Sequence, residues 1–259
     1  MPDITYKAPN GTTLKVPKEK LLTPEDPIIG PPIVINVKSD DKRMNALAFH
    51  LERWGISPLR LEAVTMCDSL PACSLTKYEI NASLSHAAAN RFCSSSDRML
   101  RPAWMILEDD CRFLEDPRDA IAWALKNLPK GWSVASLGCY SWEKPPLPKD
   151  GTRHLDHATN WEPYGAHSYL VSSAHGPRLV GAFASCVEPP DWVLLREMRA
   201  GRGYLARPSF TFQEEFPSHG TPNGEIRETR WAADLMPEDV MNLSGREPPP
   251  PVFPGENKE

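Results

Sequence analysis

From residue 33 onward, short β-branched or apolar runs alternate with segments of helical period. That alternation constrains the fold more than any other feature of the chain. "PPIVINV" reads as a buried strand, and "DDKRMNALAFHLERWGIS" follows with Met44, Leu47, Ala48, Leu51 and Trp54 at helical spacing. Gly55 stands where a helix ends in a left-handed residue. "LRLEAV" is a second strand. The next helix opens with Thr76 three residues before Glu79, a capping box, and buries Ile80, Leu84, Ala87 and Ala88. "AWMIL" (103–107) is the third strand, Asp116-Pro117 opens a helix carrying Ile121, Leu125 and Leu128, and "WSVASLG" (132–138) is the fourth strand. "AHSYLVS" is a fifth, with a short helix in "AHGPRLVGAFASC". This order predicts an α/β fold with a mostly parallel central sheet and helices on both faces.

The flanks read differently. Residues 1–30 form an N-terminal arm with a strand or hairpin around Asn10-Gly11, residues 31–231 a single domain, and the Pro-rich 232–259 an extended or disordered tail. The 139–162 stretch is rich in Pro, Trp, His and Lys without periodicity, a length that marks a functional or disordered loop. The net charge of −5 argues against a broad nucleic-acid-binding surface. No apolar run approaches the roughly 20 residues of a membrane span, and residues 1–10 do not resemble a signal peptide. The six cysteines show neither a CxxC pair nor zinc spacing, which sets the expectation of buried thiols in the cytoplasm.

Ligands of parallel sheets bind beyond the C-terminal ends of the strands, and there the third strand runs into Glu108, Asp109 and Asp110. Adjacent like charges repel, so a positive partner or water belongs beside them. One reading is Mg²⁺ or Mn²⁺, which take one or two carboxylates plus phosphate and water oxygens. The other is a turn cap at Asp109 or Asp110 with Glu108 solvated. Alternation along an extended chain would turn Glu108 and Asp110 to one pocket and Asp109 elsewhere. The triplet by itself does not separate the two readings.

Its context resembles a known family. "VINVKSDDKR", "LTKYEINASLSHAAANRF", "WMILEDDCRF" and "YGAHSYLVSSAHGPRLV" are similar, in that order, to conserved blocks of the family-25 glycosyltransferases, which include lipooligosaccharide and procollagen galactosyltransferases. A weaker match joins "PPDWVLL" to "ARPSFTFQ", so the likeness spans about residues 33–213. It departs at Asn81, where the family often carries Cys, and in the 140–162 loop.

The resemblance implies a GT-A-type nucleotide-diphosphosugar fold. It implies inverting transfer of a hexose from UDP-galactose or UDP-glucose to a hydroxyl, with Mn²⁺ or Mg²⁺ as cofactor. Asp110 would be the metal ligand, with His219 a candidate second one. Asn36, Arg43, Glu108 and Asp109 would face the donor. Asp191 would be the general base, with Glu188 its alternate, although Asp191 could equally be an N-cap. Trp142 and Trp161 are the acceptor-site candidates, and His86 reads as a hydrogen-bonded structural histidine. The acceptor would be a surface glycan, a hydroxylated side chain or a modified nucleobase. Rival readings are a metal-dependent phosphohydrolase or nuclease, and a non-catalytic binding module.

Overall fold

A computed structural model describes residues 4–7, 13–16, 31–65, 74–95, 103–139, 152–158 and 161–214. Trp142, His219 and the Pro-rich tail lie outside the described residues. In the arm, β1 (Ile4–Lys7) and β2 (Thr13–Val16) pair antiparallel, as the Asn10-Gly11 signal predicts.

The domain then runs β3 (Ile33–Asn36), α1 (Asp41–Glu52), β4 (Leu59–Glu62), α2 (Lys77–Ser95), β5 (Ala103–Glu108) and β6 (Cys111–Phe113). It continues through α3 (Pro117–Asn127), β7 (Val134–Ser136), β8 (His154–Asp156), β9 (Ser168–Ser172), α4 (Gly176–Ala184), α5 (Pro190–Arg199), β10 (Gly203–Arg207) and β11 (Thr211–Gln213). The main sheet has seven strands in the order β4-β3-β5-β9-β7-β10-β8. β4, β3, β5, β7 and β10 run one way, while β9 and β8 run the other. The sheet is therefore mostly parallel, with β9 inserted antiparallel between β5 and β7. Parallel neighbours need a crossover, usually a helix, and none is present among the described residues between β7 and β9.

Local chemistry sets the helix starts. Glu79 and Thr76 exchange capping bonds (Glu79 N–H to Thr76 Oγ1, 3.3 Å; Thr76 N–H to Glu79 Oε2, 2.7 Å). Asp116 accepts from the Arg118 N–H ahead of Pro117. Asp40 caps α1 by accepting from the Arg43 N–H, and Gly55 adopts φ +67° just beyond that helix.

Strand alternation sorts the core into two layers. Ile33, Ile35, Trp104, Ile106, Tyr169 and Val171 face α2, α4 and α5. Val34, Met105, Leu107 and Leu170 face α1 and α3, against Leu47, Leu51, Ile121 and Ala124. Helices thus cover both faces, which leaves the strand ends as the open edge. At that edge Asp109 and Asp110 form the turn from β5 into β6, and β6 pairs with β11 so that Gln213 lies opposite Cys111.

Candidate functional site

Three segments meet at the acidic turn. β3 and β5 pair in register Ile35↔Glu108, so Asn36, the last residue of β3, comes alongside Asp109. Its Nδ2 donates to Asp109 Oδ2 (2.6 Å) and to the Asp40 carbonyl (2.9 Å), tying the acid to the start of α1. Arg43, in the first turn of α1, places one Nη2 2.7 Å from Asp109 Oδ1 and 2.7 Å from Asp110 Oδ2. Gln213 of β11 donates to the same Asp110 oxygen at 3.1 Å, and the Glu214 N–H bonds the Asp110 carbonyl at 2.7 Å. The positive partner that the sequence demands is, in this structure, an arginine of the chain itself.

The accounting leaves Asp110 Oδ1 buried without a hydrogen-bond partner, and Asn36 Oδ1 likewise. Buried polar atoms rarely stay unpaired, so open oxygens at a ligand-facing edge call for a partner from outside. Burial pushes the Asp110 carboxyl up to about 7, with Glu108 adding repulsion and Arg43 opposing. Asp109 also lies above its usual value, through burial that Arg43 only partly offsets.

Glu108 is held separately. Burial opposes its ionisation, but the hydrogen bond from His86 leads the opposing causes, and together they bring it below the usual value. His86 Nε2 lies 3.2 Å from Glu108 Oε1 and its Nδ1 3.0 Å from the Tyr169 hydroxyl. Asn90 Nδ2 donates to that hydroxyl, leaving the Tyr169 proton for His86 Nδ1 and the ring proton on Nε2, aimed at Glu108. His86 is therefore hydrogen-bonded on both nitrogens. α2 carries this row on its sheet side, where Ser83, His86 and Asn90 are all buried. Alternation predicts Glu108 and Asp110 in one pocket with Asp109 apart. The turn instead leaves the strand after Glu108 and lets Arg43 gather Asp109 with Asp110.

Asp191 sits in the first turn of α5. The N-cap there is Pro189, so the N-cap alternative for Asp191 does not hold. Burial leads the causes that raise its pKa, and the charges of Glu108 and Glu79 add to it. Glu188 pairs with Arg196 at 2.6 Å. Trp161 is 8% exposed and lies in the core, its Nε1 donating to Asp156 Oδ2 and Arg207 stacked over its ring. Trp192, by contrast, is 39% exposed beside Asp191, its ring 6.1 Å from that of Tyr164.

Four residues of this site have no role in the sequence reading: Gln213, Tyr169, Tyr164 and Trp192. All four fall inside the quoted blocks, but only Gln213 and Tyr169 stand at positions that carry the resemblance, so for those two the signal was present. For Tyr164 and Trp192, nothing in one sequence distinguishes an exposed aromatic from a buried one.

Among the described residues, no three His, Cys, Asp or Glu side chains converge as a metal centre. The donor chemistry nonetheless fits a hard divalent ion that takes few protein ligands, because Asp110 Oδ1 is an unshared carboxylate oxygen at the strand end. No described helix is long and apolar enough to cross a membrane.

No family model matches the sequence, and no curated protein matches it. Among solved structures, the chain is similar to a glycosyltransferase involved in glycosylation of the major capsid of PBCV-1, at 9% identity and TM-score 0.42, covering 83% of this chain and all of that one. It is similar to A197 from STIV at 10% identity and TM-score 0.39, covering 76% of this chain and 92% of that one. A Drosophila β-1,4-galactosyltransferase 7 mutant in complex with manganese, UDP-Gal and xylobiose matches at 10% identity and TM-score 0.30, over 57% of this chain and 50% of that one.

Proposed function

We propose that this chain is a metal-dependent glycosyltransferase that moves a hexose from UDP-galactose or UDP-glucose to an acceptor hydroxyl. Inversion and the GT-A-type assignment follow the family-25 resemblance. One observation carries the reading: a buried acidic turn at the open edge of the sheet, with Asp110 Oδ1 left without a partner.

The reaction breaks the bond between the anomeric carbon and the diphosphate, and negative charge builds on the leaving group. Mg²⁺ or Mn²⁺ bound at Asp110 would supply Lewis-acid stabilisation of that charge. Arg43 adds a guanidinium able to bond phosphate oxygens in pairs. Asn36 and Asp109 hold Arg43 and the turn in place, and Glu108, kept ionised by His86, can accept hydroxyl hydrogen bonds from the donor.

Asp191 takes the acceptor proton as its oxygen attacks, and a carboxylate raised by burial is the better base for that step. The exposed ring of Trp192, with the half-buried Tyr164 ring next to it, stands beside it as a platform for an acceptor sugar face. Glu188, held by Arg196, is the alternate base; Trp142 and His219 keep their proposed acceptor and metal roles from the sequence. The arm, single catalytic domain and tail remain the proposed organisation, and the cytoplasm the proposed location.

The test is UDP release from a panel of UDP-sugars with Mn²⁺, with and without acceptor, against Asp110→Ala. UDP-sugar cleavage that needs Mn²⁺ and Asp110 supports transfer. Release of inorganic phosphate, or cleavage of nucleic acid, would point to the hydrolase reading. Absence of any nucleotide-sugar binding in a thermal-shift screen would leave only the binding module.

A further inference from the structure

We infer that Arg43 is a resident cation that keeps free metal out of the acidic turn, so that Mg²⁺ or Mn²⁺ enters only together with a nucleoside diphosphate. The inference rests on the donor-site reading above and specifies how that site loads.

Arg43, Asp109 and Asp110 have side chains only 12%, 7% and 14% exposed, so little water screens them. A single Nη2 contacts a carboxylate oxygen of each acid at 2.7 Å. Asn36 occupies the other oxygen of Asp109. On the two bridged acids, what remains for an ion is Asp110 Oδ1; Asn36 Oδ1 is also without a partner. An octahedral ion held by so few protein oxygens needs its other positions filled by water or phosphate. A free dication arriving alone would also meet the guanidinium across the same carboxylates, at short range and in low dielectric.

A diphosphate removes both obstacles. Its oxygens complete the shell of the ion, and its charge offers the guanidinium a new bidentate partner. Arg43 lies in the first turn of α1, where its own charge opposes the helix dipole, so an arriving anion is favoured by helix end and side chain together. Asn36 and Gln213, both neutral donors, hold the acids in place whichever way the arginine points. Because linkage is reciprocal, the diphosphate must gain from the metal by the same factor that the metal gains from the diphosphate.

The free-ion Mn²⁺ signal in electron paramagnetic resonance reads this directly, without turnover. Mn²⁺ added to the wild-type protein alone should leave the free-ion signal unchanged, and adding UDP should lower it well beyond what the same UDP does without protein. Arg43→Gln should take Mn²⁺ alone about ten- to a hundredfold more tightly than wild type, the worth of a charge-assisted bond, and should lose most of the gain from UDP. Arg43→Lys, which keeps a cation, should preserve the coupling, and Asp110→Asn should bind no Mn²⁺ in either arm.

Wild-type protein that binds Mn²⁺ equally well with and without UDP would overturn the inference, whether or not the variants fold. So would Arg43→Gln with an unchanged ratio. If the protein removes no more free Mn²⁺ than UDP does by itself, it is the donor-site reading that fails.

Discussion

Two buried acids in this molecule meet arginines and come to opposite ends. Glu197 of α5 is 1% exposed, and every oxygen it has is used. Oε1 accepts from Arg178 at 2.5 Å, while Oε2 accepts from Arg178, from Ser133 at 2.8 Å and from Arg202 at 3.2 Å. Burial opposes its charge, but those bonds win and bring the carboxyl down to about 2. Asp110 has one arginine contact, one amide donor and one oxygen with nothing, and burial carries it up to about 7. A saturated acid joins elements: Glu197 fastens α5 to α4 and to the residue preceding β7. An unsaturated acid at the open edge of a sheet is held ready for something else. Side-chain exposure is low for both, 2% for Glu197 and 14% for Asp110, and counting partners is what separates them.

The widest separation should appear when each acid is neutralised. Asp110→Asn is expected to lower UDP-sugar cleavage about a hundred- to a thousandfold, the range for removing one preorganised electrostatic contact. It should leave the melting temperature unchanged or higher, since it relieves a costly buried charge. Equal losses of activity and stability would erase the distinction. Next in size, Glu197→Gln should cost about 3 kcal/mol, because it strands groups arranged around a carboxylate. Steady-state cleavage per folded molecule should stay near wild type.

The sign with pH follows from the depressed pKa of Glu197. Its contribution is fully present above the unfolded value of 4.5 and is lost as pH falls towards about 2. Wild type should therefore lose stability faster than Glu197→Gln over that window in acid melts.

Much of this frame is legible in the chain itself. The capping box at Thr76 and Glu79, the Asp116-Pro117 start and the two-faced strands are local chemistry, and local chemistry is written in sequence. Pairing is not. Strand β9 has the same apolar character as its neighbours, and nothing in that character says that it pairs antiparallel with both β5 and β7. The three-residue strands β6 and β11 are too short to show a period, yet they bring Gln213 to Asp110. Arg43 was readable as an ill-placed charge at a helix start. That it would bridge two acids 66 and 67 residues further on depends on the sheet register.

Glu108 lies between the extremes, with one oxygen bonded to His86 and its side chain 28% exposed. His86→Phe keeps the aromatic packing against Phe183 but removes the donor to Glu108 and the acceptor for Tyr169. The loss of two buried bonds should cost about 2 kcal/mol. Without His86, the carboxyl of Glu108 should rise, so the acid limb of the cleavage profile should move to higher pH. A uniform fall in rate at every pH would make His86 a packing residue and nothing more.

The same contrast between spent and open side chains extends to the two tryptophans. Trp161 uses its ring against Arg207 and the core and its Nε1 on Asp156, so truncation there should be read mainly as lost stability. Trp192 is 39% exposed and stands with Tyr164 beside Asp191. Trp192→Ala should leave the melting temperature nearly unchanged, as exposed substitutions do. One lost ring contact is worth about 1 kcal/mol, so the KM for a glycoside acceptor should rise about fivefold. Acceptor-independent UDP release should not change, because the acids proposed to hold the donor sit on other elements. If instead the donor KM moves with the acceptor KM, Trp192 belongs to the donor side, and its exposure beside Asp191 marks no acceptor platform.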